Sequence, residues 1–286
     1  MRILVTGATG FVGQALVRHL RDRGHVPLAV VRDGTQVEGA EIVHWDLGAW
    51  GAPASLPSEI DAIVHTAQSR NHRAFPGDAP EMFAVNTAST LALLDYAART
   101  GVVRVCLLSS GTVYAPFATS LAETAPLAPP TMLGASKLAA EAVAEPFRAL
   151  FPVSILRVFT PYGPGQTARL VPDIIDRVRT GKAVELSADG DGLRLAPIYV
   201  EDLCEVVLAS LVEGWADTIN VAASRTLTLR DLAERIGHWV GRPPRFALGV
   251  GTALNLAPPV QRLAARFDLD ALVPIEEGLR RTVQAG

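Results

Sequence analysis

Three glycines near the start of the sequence, Gly7, Gly10 and Gly13, have the spacing of a phosphate-binding turn. They lie in RILVTGATGFVGQAL, after a short β-branched run and before a helical pattern, which is the context that makes such a motif specific. Glycine lets the turn be tight and lets the backbone approach a pyrophosphate, and unpaired N–H groups at the following helix N-terminus favour negative charge. The segment therefore predicts a dinucleotide-binding turn, with a plain strand-to-helix turn as the alternative. Its predicted cofactor-binding residues are Gly7, Thr9, Gly10, Phe11, Val12 and Gly13.

The residues after the second predicted strand bear on which nicotinamide cofactor binds. That strand ends in Val31-Arg32-Asp33, about twenty residues beyond the glycines. A carboxylate at this point grips the ribose 2′-hydroxyl of NAD, whereas a guanidinium pairs with the 2′-phosphate of NADP. Arg32 comes first after the apolar run, so we predict NADP, with NAD as the second choice because of Asp33.

The elements that must hold this turn alternate between short β-branched runs and longer helical patterns, which is typical of βαβ units and a parallel sheet. We predict an α/β protein with a doubly wound, Rossmann-type parallel sheet and a smaller, discontinuous C-terminal substrate domain. The predicted dinucleotide-binding domain covers residues 1–158 plus about 195–222, and the substrate domain covers about 159–194 plus 223–286. The predicted strands are Ile3 to Thr6, Pro27 to Val31, Glu41 to His44, Ala62 to Thr66, Val103 to Ser109 and Val153 to Val158.

Composition narrows the class of protein further. The 286 residues are 49% hydrophobic and 19% charged, which excludes disordered and coiled-coil proteins, and a net charge of −3 argues against nucleic acid as a partner. Cys106 and Cys204 have neither metal-ligand nor redox spacing, so we predict two buried thiols and no metal site. No apolar run reaches the ~20 residues of a membrane span, and the early glycines do not fit a signal peptide. We therefore predict a cytoplasmic protein that acts on a small molecule.

The chain resembles the extended short-chain dehydrogenase/reductase family, also called the NAD-dependent epimerase/dehydratase family. The matching motifs run nearly end to end: TGATGFVG, DAIVHTA, FAVNTAST, LLSSGTVY, SKLAAE, ILRVFTPYGPG, IYVEDL and IEEGLRR. The resemblance implies that Asp46 and Leu47 flank the adenine, that Thr66, Ala67 and Thr160 line the cofactor, and that Asn86 supports the site. It also implies a homodimer formed through helices 81–100 and 133–150.

By the same resemblance, catalysis uses a Ser or Thr, a Tyr that transfers a proton, and a Lys four residues after the Tyr. Ser110 fits the first position and Lys137, one of only two lysines, fits the last and would also hold the cofactor ribose. The Tyr position holds Leu133, which cannot transfer a proton. Three interpretations stay open at this point: another proton donor; chemistry that needs no such proton; or a catalytically silent nucleotide-binding protein. The candidates for another donor are Ser110 or Thr112 relaying from water, Lys137, Tyr114, Tyr162 and Tyr199.

Two further departures from the family narrow the reaction. Gly111 and Thr112 replace the acidic pair of sugar dehydratases, and Leu195 stands where nucleotide-sugar enzymes carry an arginine, with Arg194 displaced by one position. We predict an NAD(P)-dependent reductase or epimerase acting on a carbonyl or hydroxyl carbon of a small polar metabolite, including sugar derivatives. The alternatives are a non-redox isomerase or cyclase, or a silent NADP-binding protein. The predicted substrate contacts are Gln68, Arg70, Tyr162, Arg169 and Tyr199.

Overall fold

A computed structural model describes residues 1–32, 34–53, 55–71, 74–117 and 120–286. The chain divides into two compact units. The first comprises Met1–Pro116, Pro126–Arg157 and Cys204–Ile219, and the second comprises Phe117–Ala125, Val158–Leu203 and Asn220–Gly286. The second unit thus includes Phe117–Ala125, Val158, residues 195–203 and residues 220–222, all of which the sequence assigned to the dinucleotide-binding domain. The functions predicted for the two domains stay predictions.

A seven-stranded sheet forms the centre of the first unit. Its strands are β1 (Arg2–Thr6), β2 (Val26–Val31), β3 (Glu41–His44), β4 (Ala62–His65), β5 (Arg104–Ser110), β6 (Val153–Val158) and β11 (Thr218–Val221). Their order is β11-β6-β5-β4-β1-β2-β3, and β1 pairs in parallel with both β2 and β4. The strand order therefore reverses between β1 and β4, and doubly wound sheets bind ligands at the carboxyl ends of such strands. The predicted Rossmann-type fold class is confirmed.

Helices connect these strands and bury their apolar faces against the sheet. They are α1 (Phe11–Asp22), α2 (Ala79–Phe83), α3 (Ser89–Thr100), α4 (Met132–Ala144) and α6 (Val200–Val212). One π-helical turn, Ala84–Ala88, joins α2 to α3, and a 3₁₀ turn, Gly111–Tyr114, follows β5. Helix α3 ends at Gly101, whose φ of 76° places it in the left-handed region that glycine adopts without strain.

The second unit is built from short strands and four helices in the part of the chain that the structure describes. Its strands are β7 (Pro161–Tyr162), β8 (Ala183–Leu186), β9 (Arg194–Leu195), β10 (Ile198–Tyr199), β12 (Leu227–Thr228), β13 (Arg245–Leu248) and β14 (Asn255–Leu256). Its helices are α5 (Leu170–Thr180), α7 (Leu229–Val240), α8 (Gln261–Ala264) and α9 (Ile275–Gln284). Helix α7 begins with a capping box, because the Thr228 side chain accepts from the Asp231 N–H while the Asp231 side chain accepts from the Thr228 N–H.

Several other expectations can be compared with the described residues. Both cysteines are buried thiols, as predicted. Among the described residues no group of histidine, cysteine, aspartate or glutamate side chains could hold a metal ion. None of the described helices combines the length and the apolar character that crossing a membrane requires.

Candidate functional site

The turn after β1 is shaped by contacts that only glycine allows. Gly7 has a φ of +68°, and a Cβ there would lie 2.7 Å from the Thr66 Oγ1 atom. A Cβ at Gly13 would lie 2.1 Å from the Gly7 carbonyl oxygen, so α1 packs directly on the turn. The Gly10 N–H donates to that same oxygen at 2.9 Å. Two of the glycines therefore serve backbone packing, between the turn and the residues after β4 and between the turn and α1.

The N-terminus of α1 has the features of an anion site. Gly10 caps the helix without a side-chain hydrogen bond, and no acidic residue lies in the first turn. Thr9, Phe11 and Val12 are half-buried around it. Helix N–H groups without intrahelical partners, together with the helix dipole, favour a phosphate at such a position. The residues present therefore fit the pyrophosphate of a dinucleotide, although their role as cofactor contacts stays a prediction.

The segment after β4 joins this turn to the rest of the first unit. The Thr66 hydroxyl donates to the Thr6 carbonyl at 2.7 Å, and the Arg70 guanidinium donates to the Thr9 hydroxyl at 3.2 Å. Ala67 is buried and Gln68 is half-buried. The structure thus brings the predicted residues Thr66, Ala67, Gln68 and Arg70 next to the glycine turn.

Asn86 links this segment to α4. Its side-chain oxygen accepts from the Ser69 N–H at 2.9 Å, and its side-chain nitrogen donates to the Ser136 hydroxyl at 2.9 Å. The asparagine lies in the π-helical turn, a feature frequent at functional sites. This geometry agrees with the supporting role expected of Asn86, because it ties the end of β4 to the helix that carries Lys137.

Lys137 is buried between the ends of two neighbouring strands. Its ammonium donates to the carbonyl of Leu108 at 3.0 Å and to that of Ala67 at 3.3 Å. Burial lowers the pKa of Lys137 from 10.5 to about 8, against the opposing influence of the Glu141 charge. Because Ala67 also contacts Gly7, one residue joins the lysine to the glycine turn.

His65 is a neutral neighbour of Lys137 rather than a base. It is buried, and its ring nitrogens lie 2.6 Å from the Thr6 hydroxyl and 3.3 Å from the Ser89 hydroxyl. Burial, together with the positive charge of Lys137, lowers the pKa of His65 to about 3. His65 is therefore a buried, hydrogen-bonded histidine.

Ser110 and Thr112 lie together where β5 ends. Ser110 caps the 3₁₀ turn, and its hydroxyl accepts from the Thr112 N–H at 3.2 Å and from the Thr112 hydroxyl at 3.1 Å. Both residues are half-buried. Leu108, whose carbonyl holds Lys137, precedes Ser110 by two residues on the same strand, so β5 positions both predicted catalytic groups.

A buried ionic network behind these residues was missed by the sequence analysis. The Arg157 guanidinium lies 2.7 Å from the Glu141 carboxylate and donates to the Tyr114 hydroxyl at 2.7 Å, and the Ser109 hydroxyl donates to Glu141. Arg157 and Glu141 are both buried. The signals available were an acidic residue four positions after Lys137 and an arginine inside an apolar strand, which together indicate a buried ion pair.

Leu133 lies in the first turn of α4, half-buried and one helical turn before Lys137. Residues four apart share a helix face, so Leu133 occupies the position from which a tyrosine would lie beside the lysine. The hydroxyl of Tyr114, a candidate proton donor in the first unit, accepts a hydrogen bond from Arg157.

The residues expected around the adenine and its ribose lie after β2 and β3. Arg32 directly follows β2 and is exposed. Asp46 is exposed and accepts from the Gly48 N–H at 2.9 Å, while Leu47 is buried. Asp33, the reason for keeping NAD as an alternative, lies outside the described residues.

The remaining predicted residues belong to the second unit. Thr160 has a φ of 41°. Tyr162 and Tyr199 are buried on the paired strands β7 and β10 with ring centroids 5.5 Å apart, which is a packing arrangement. Arg169 is exposed just before α5. Their contacts with cofactor or substrate stay predictions.

On β9, Arg194 and Leu195 point to opposite faces of the strand. Leu195 is buried and Arg194 is exposed, where it lies 3.8 Å from the Asp191 carboxylate. Successive side chains of a strand point to opposite faces, so Arg194 does not replace an arginine at position 195.

Comparison with known proteins agrees with this geometry. The chain is 27% identical to the dTDP-4-dehydro-6-deoxy-D-allose reductase of Streptomyces bikiniensis, over 99% of the chain and 95% of the relative. It is 29% identical to the UDP-glucose 4-epimerase of Mycolicibacterium smegmatis, over 86% of the chain and 85% of the relative. The solved structure of MoeE5 in complex with UDP-glucuronic acid and NAD superposes with a TM-score of 0.84 and 26% identity, covering 100% of this chain and 98% of that one.

A family model described as the NAD dependent epimerase/dehydratase family matches residues 3–222. This range contains the glycine turn, Ser110, Thr112 and Lys137, and the relatives above are enzymes by name. The prediction of an enzyme of this kind is confirmed, and the chain belongs to the NAD-dependent epimerase/dehydratase family.

Proposed function

We propose that this protein is an NAD(P)-dependent reductase or epimerase that acts on a carbonyl or hydroxyl carbon of a small polar metabolite, in particular a sugar derivative. The observation that carries the proposal is the position of Ala67, which contacts Gly7 of the phosphate-binding turn and accepts a hydrogen bond from Lys137. One backbone segment thereby links an anion site to a buried cation, and a dinucleotide bound along this edge would meet both.

Each residue group would contribute a distinct function. The N–H groups at the start of α1 would hold the pyrophosphate, Asp46 and Leu47 would flank the adenine, and Lys137 would hold the ribose next to the nicotinamide. When bound, the nicotinamide supplies or accepts a hydride at the substrate carbon. Ser110 would donate a hydrogen bond to the substrate oxygen, which orients it and stabilises the negative charge that develops there.

Arg32 supports NADP as the preferred cofactor. It is the first residue after β2, and its exposed guanidinium is available to a 2′-phosphate, which it could bind in bidentate fashion. The NAD in the MoeE5 complex is a ligand of that protein and does not identify the cofactor that this chain prefers. The preference is therefore tested on this chain directly.

The names of the relatives favour a nucleotide sugar as the substrate. Against this, position 195 holds a buried leucine instead of the arginine that would bind a diphosphate. We infer that the substrate is a sugar derivative, and the turnover test decides whether it must carry a nucleotide. Gln68 and Arg70, at the carboxyl edge of β4, are the proposed substrate contacts in the first unit. The homodimer through helices 81–100 and 133–150 and the cytoplasmic location remain predictions.

The cofactor assignment is tested by fluorescence titration of NADPH and NADH with the wild type and with Arg32→Ala. A charge-assisted hydrogen bond contributes roughly 1.5–3 kcal/mol, so we expect Arg32→Ala to weaken NADPH about 10- to 100-fold while NADH changes less than about twofold. Arg99→Ala removes another exposed arginine, paired with Asp95 on α3, and serves as the control. Equal affinities of the wild type for both cofactors would overturn the assignment.

The reaction is tested with a panel of dTDP-4-dehydro-6-deoxy-D-allose, UDP-glucose, UDP-glucuronic acid and cyclohexanone. NADPH oxidation with a keto compound indicates a reductase, and a new sugar without net NADPH change indicates an epimerase. Turnover of cyclohexanone alone would indicate that no nucleotide is needed. NADPH binding without turnover of any compound would overturn the proposal in favour of a silent nucleotide-binding protein.

A further inference from the structure

The Ser110 hydroxyl has both of its acceptor positions filled by a single residue. It accepts from the Thr112 N–H at 3.2 Å and from the Thr112 hydroxyl at 3.1 Å. A serine hydroxyl has two acceptor lone pairs and one proton to donate. Since Thr112 fills the acceptor positions, the proton of Ser110 is directed away from Thr112, toward whatever oxygen lies in front of the turn.

Thr112 also lies against the segment in which the family tyrosine is missing. A Cβ at Gly134 would lie 2.7 Å from the Thr112 carbonyl oxygen, so the first turn of α4 packs directly on Thr112. Gly134 is the neighbour of Leu133 in the sequence. The backbone of Thr112 therefore packs against the helix turn that carries Leu133 at the tyrosine position.

The turn that holds the two hydroxyls is fixed from behind. Tyr114, its last residue, accepts a hydrogen bond from Arg157 at 2.7 Å, and Arg157 is paired with Glu141 of α4. Helix α4 and the 3₁₀ turn are thus tied together by a buried ion pair in addition to their direct packing. The hydrogen bond between Ser110 and Thr112 is held in one geometry rather than left to a mobile loop.

We propose that Thr112 feeds protons to Ser110, so that the two hydroxyls form a relay that replaces the proton transfer normally made by the tyrosine. The inference rests on the proposed reductase or epimerase function. In the reducing direction a bound NAD(P)H would supply the hydride to the substrate carbonyl carbon, and the carbonyl oxygen would take the Ser110 proton. In the same step the Ser110 oxygen takes the Thr112 proton, and Thr112 is afterwards reprotonated by hydronium. The sum is carbonyl, NAD(P)H and one proton converted to alcohol and NAD(P)⁺, and oxidation runs the same steps in reverse.

The geometry makes Ser110 the catalytic residue and Thr112 a positioning residue that acts through it. Thr112→Val removes the hydroxyl at nearly constant shape, and Thr112→Ser retains it. With the panel compound that the wild type turns over fastest, we expect Thr112→Val to lower kcat about 10²-fold, the order found for general acid–base groups, and Thr112→Ser to stay within about threefold of wild type. The NADPH affinity and the melting temperature of the cofactor-free protein should change little in both variants.

A thermodynamic cycle and an isotope measurement separate a relay from a purely structural role. The effects of removing two hydroxyls of one relay are not additive. The double variant Ser110→Ala/Thr112→Val should therefore be no slower than Ser110→Ala alone. A plot of rate against deuterium fraction should be curved for the wild type, where two protons move together, and linear for Thr112→Val. Thr228→Val, which removes the cap of α7 in the second unit, is the matched control and should leave the curvature unchanged.

Each outcome of these experiments either supports or overturns the relay. A kcat within about threefold of wild type in Thr112→Val, or a linear plot in the wild type, would overturn the relay while leaving the proposed function intact. The absence of turnover by the wild type would overturn the proposed function and the relay with it. Loss of kcat in Thr112→Val, recovery in Thr112→Ser and non-additivity with Ser110→Ala together would support the relay.

Discussion

Burial of Lys137 predicts a stability that rises with pH. Its pKa is 10.5 when exposed and about 8 in the fold, so the folded protein releases this proton before the unfolded chain does. Between these two values the unfolded state binds more protons, and the free energy of unfolding therefore increases with pH. Below the folded pKa of about 8, Lys137 is charged in both states, and its burial lowers the free energy of unfolding by a constant amount. Above the unfolded pKa of 10.5, Lys137 is neutral in both states and this destabilisation is absent.

The size of the effect follows from the two pKa values. The complete shift corresponds to about 3.4 kcal/mol, and the part that falls between pH 7 and pH 9.5 is about 2 kcal/mol. We expect Lys137→Met, which lacks the titrating group, to lose about 2 kcal/mol of stability relative to wild type over that interval. The difference between the two proteins isolates Lys137, because the other titrating groups are common to both.

The measurement is urea-induced unfolding at the two pH values, followed by tryptophan fluorescence. Trp45 and Trp215 are buried in the first unit and report on its unfolding. Lys182→Met is the matched control, since Lys182 is the other lysine and its side chain is 66% exposed, and its difference from wild type should not depend on pH. A stability difference for Lys137→Met that stays constant, or that changes in the opposite direction, would refute the account of a desolvated ammonium.

Two further predictions concern α4 and its partners. Leu133→Tyr places a phenol one turn before Lys137, whose charge should bring the phenol pKa down from about 10 toward the working pH; we expect faster reduction of cyclohexanone and a new basic limb in the pH profile. No gain, at unchanged NADPH affinity, would argue for the non-redox alternative. Arg157→Met leaves Glu141 buried without its partner and should lower the free energy of unfolding by about 3–5 kcal/mol, whereas Arg99→Met on the surface should cost at most about 0.5 kcal/mol. Urea titration measures both, and equal costs would contradict a buried ion pair.

Much of the fold was predictable because its signals are local. The run Glu41 to His44 and the run Val153 to Val158 were assigned as strands with the bounds that the structure has. Of the other predicted strands, three differ from the structure by one residue at one end, and β5 differs by one residue at each end. Apolar runs of this length, punctuated by glycine, identify buried parallel strands without information from elsewhere in the chain. The same is true of the capping box before α7, which depends on residues only three positions apart.

The arrangement of the site was only partly predictable. The residue types at positions 7, 110 and 137 indicated an anion-binding turn, a hydroxyl and a cation, but their distances depend on partners remote in the sequence. Lys137 is held by carbonyls 29 and 70 residues away. Backbone carbonyls carry no sequence signal, so no pattern could have identified them as the partners of the lysine.

The sequence by itself determined most of the strands of the sheet, the glycine turn and the presence of a leucine four residues before Lys137, because each depends on residue type and short-range spacing. Only the tertiary structure decided that Gly134 packs on Thr112 and that Arg157 is bound to Glu141 and Tyr114. These contacts form where β5, β6 and α4 come together. Their geometry follows from how the sheet and helix pack, which long-range burial of apolar surface sets and local sequence does not.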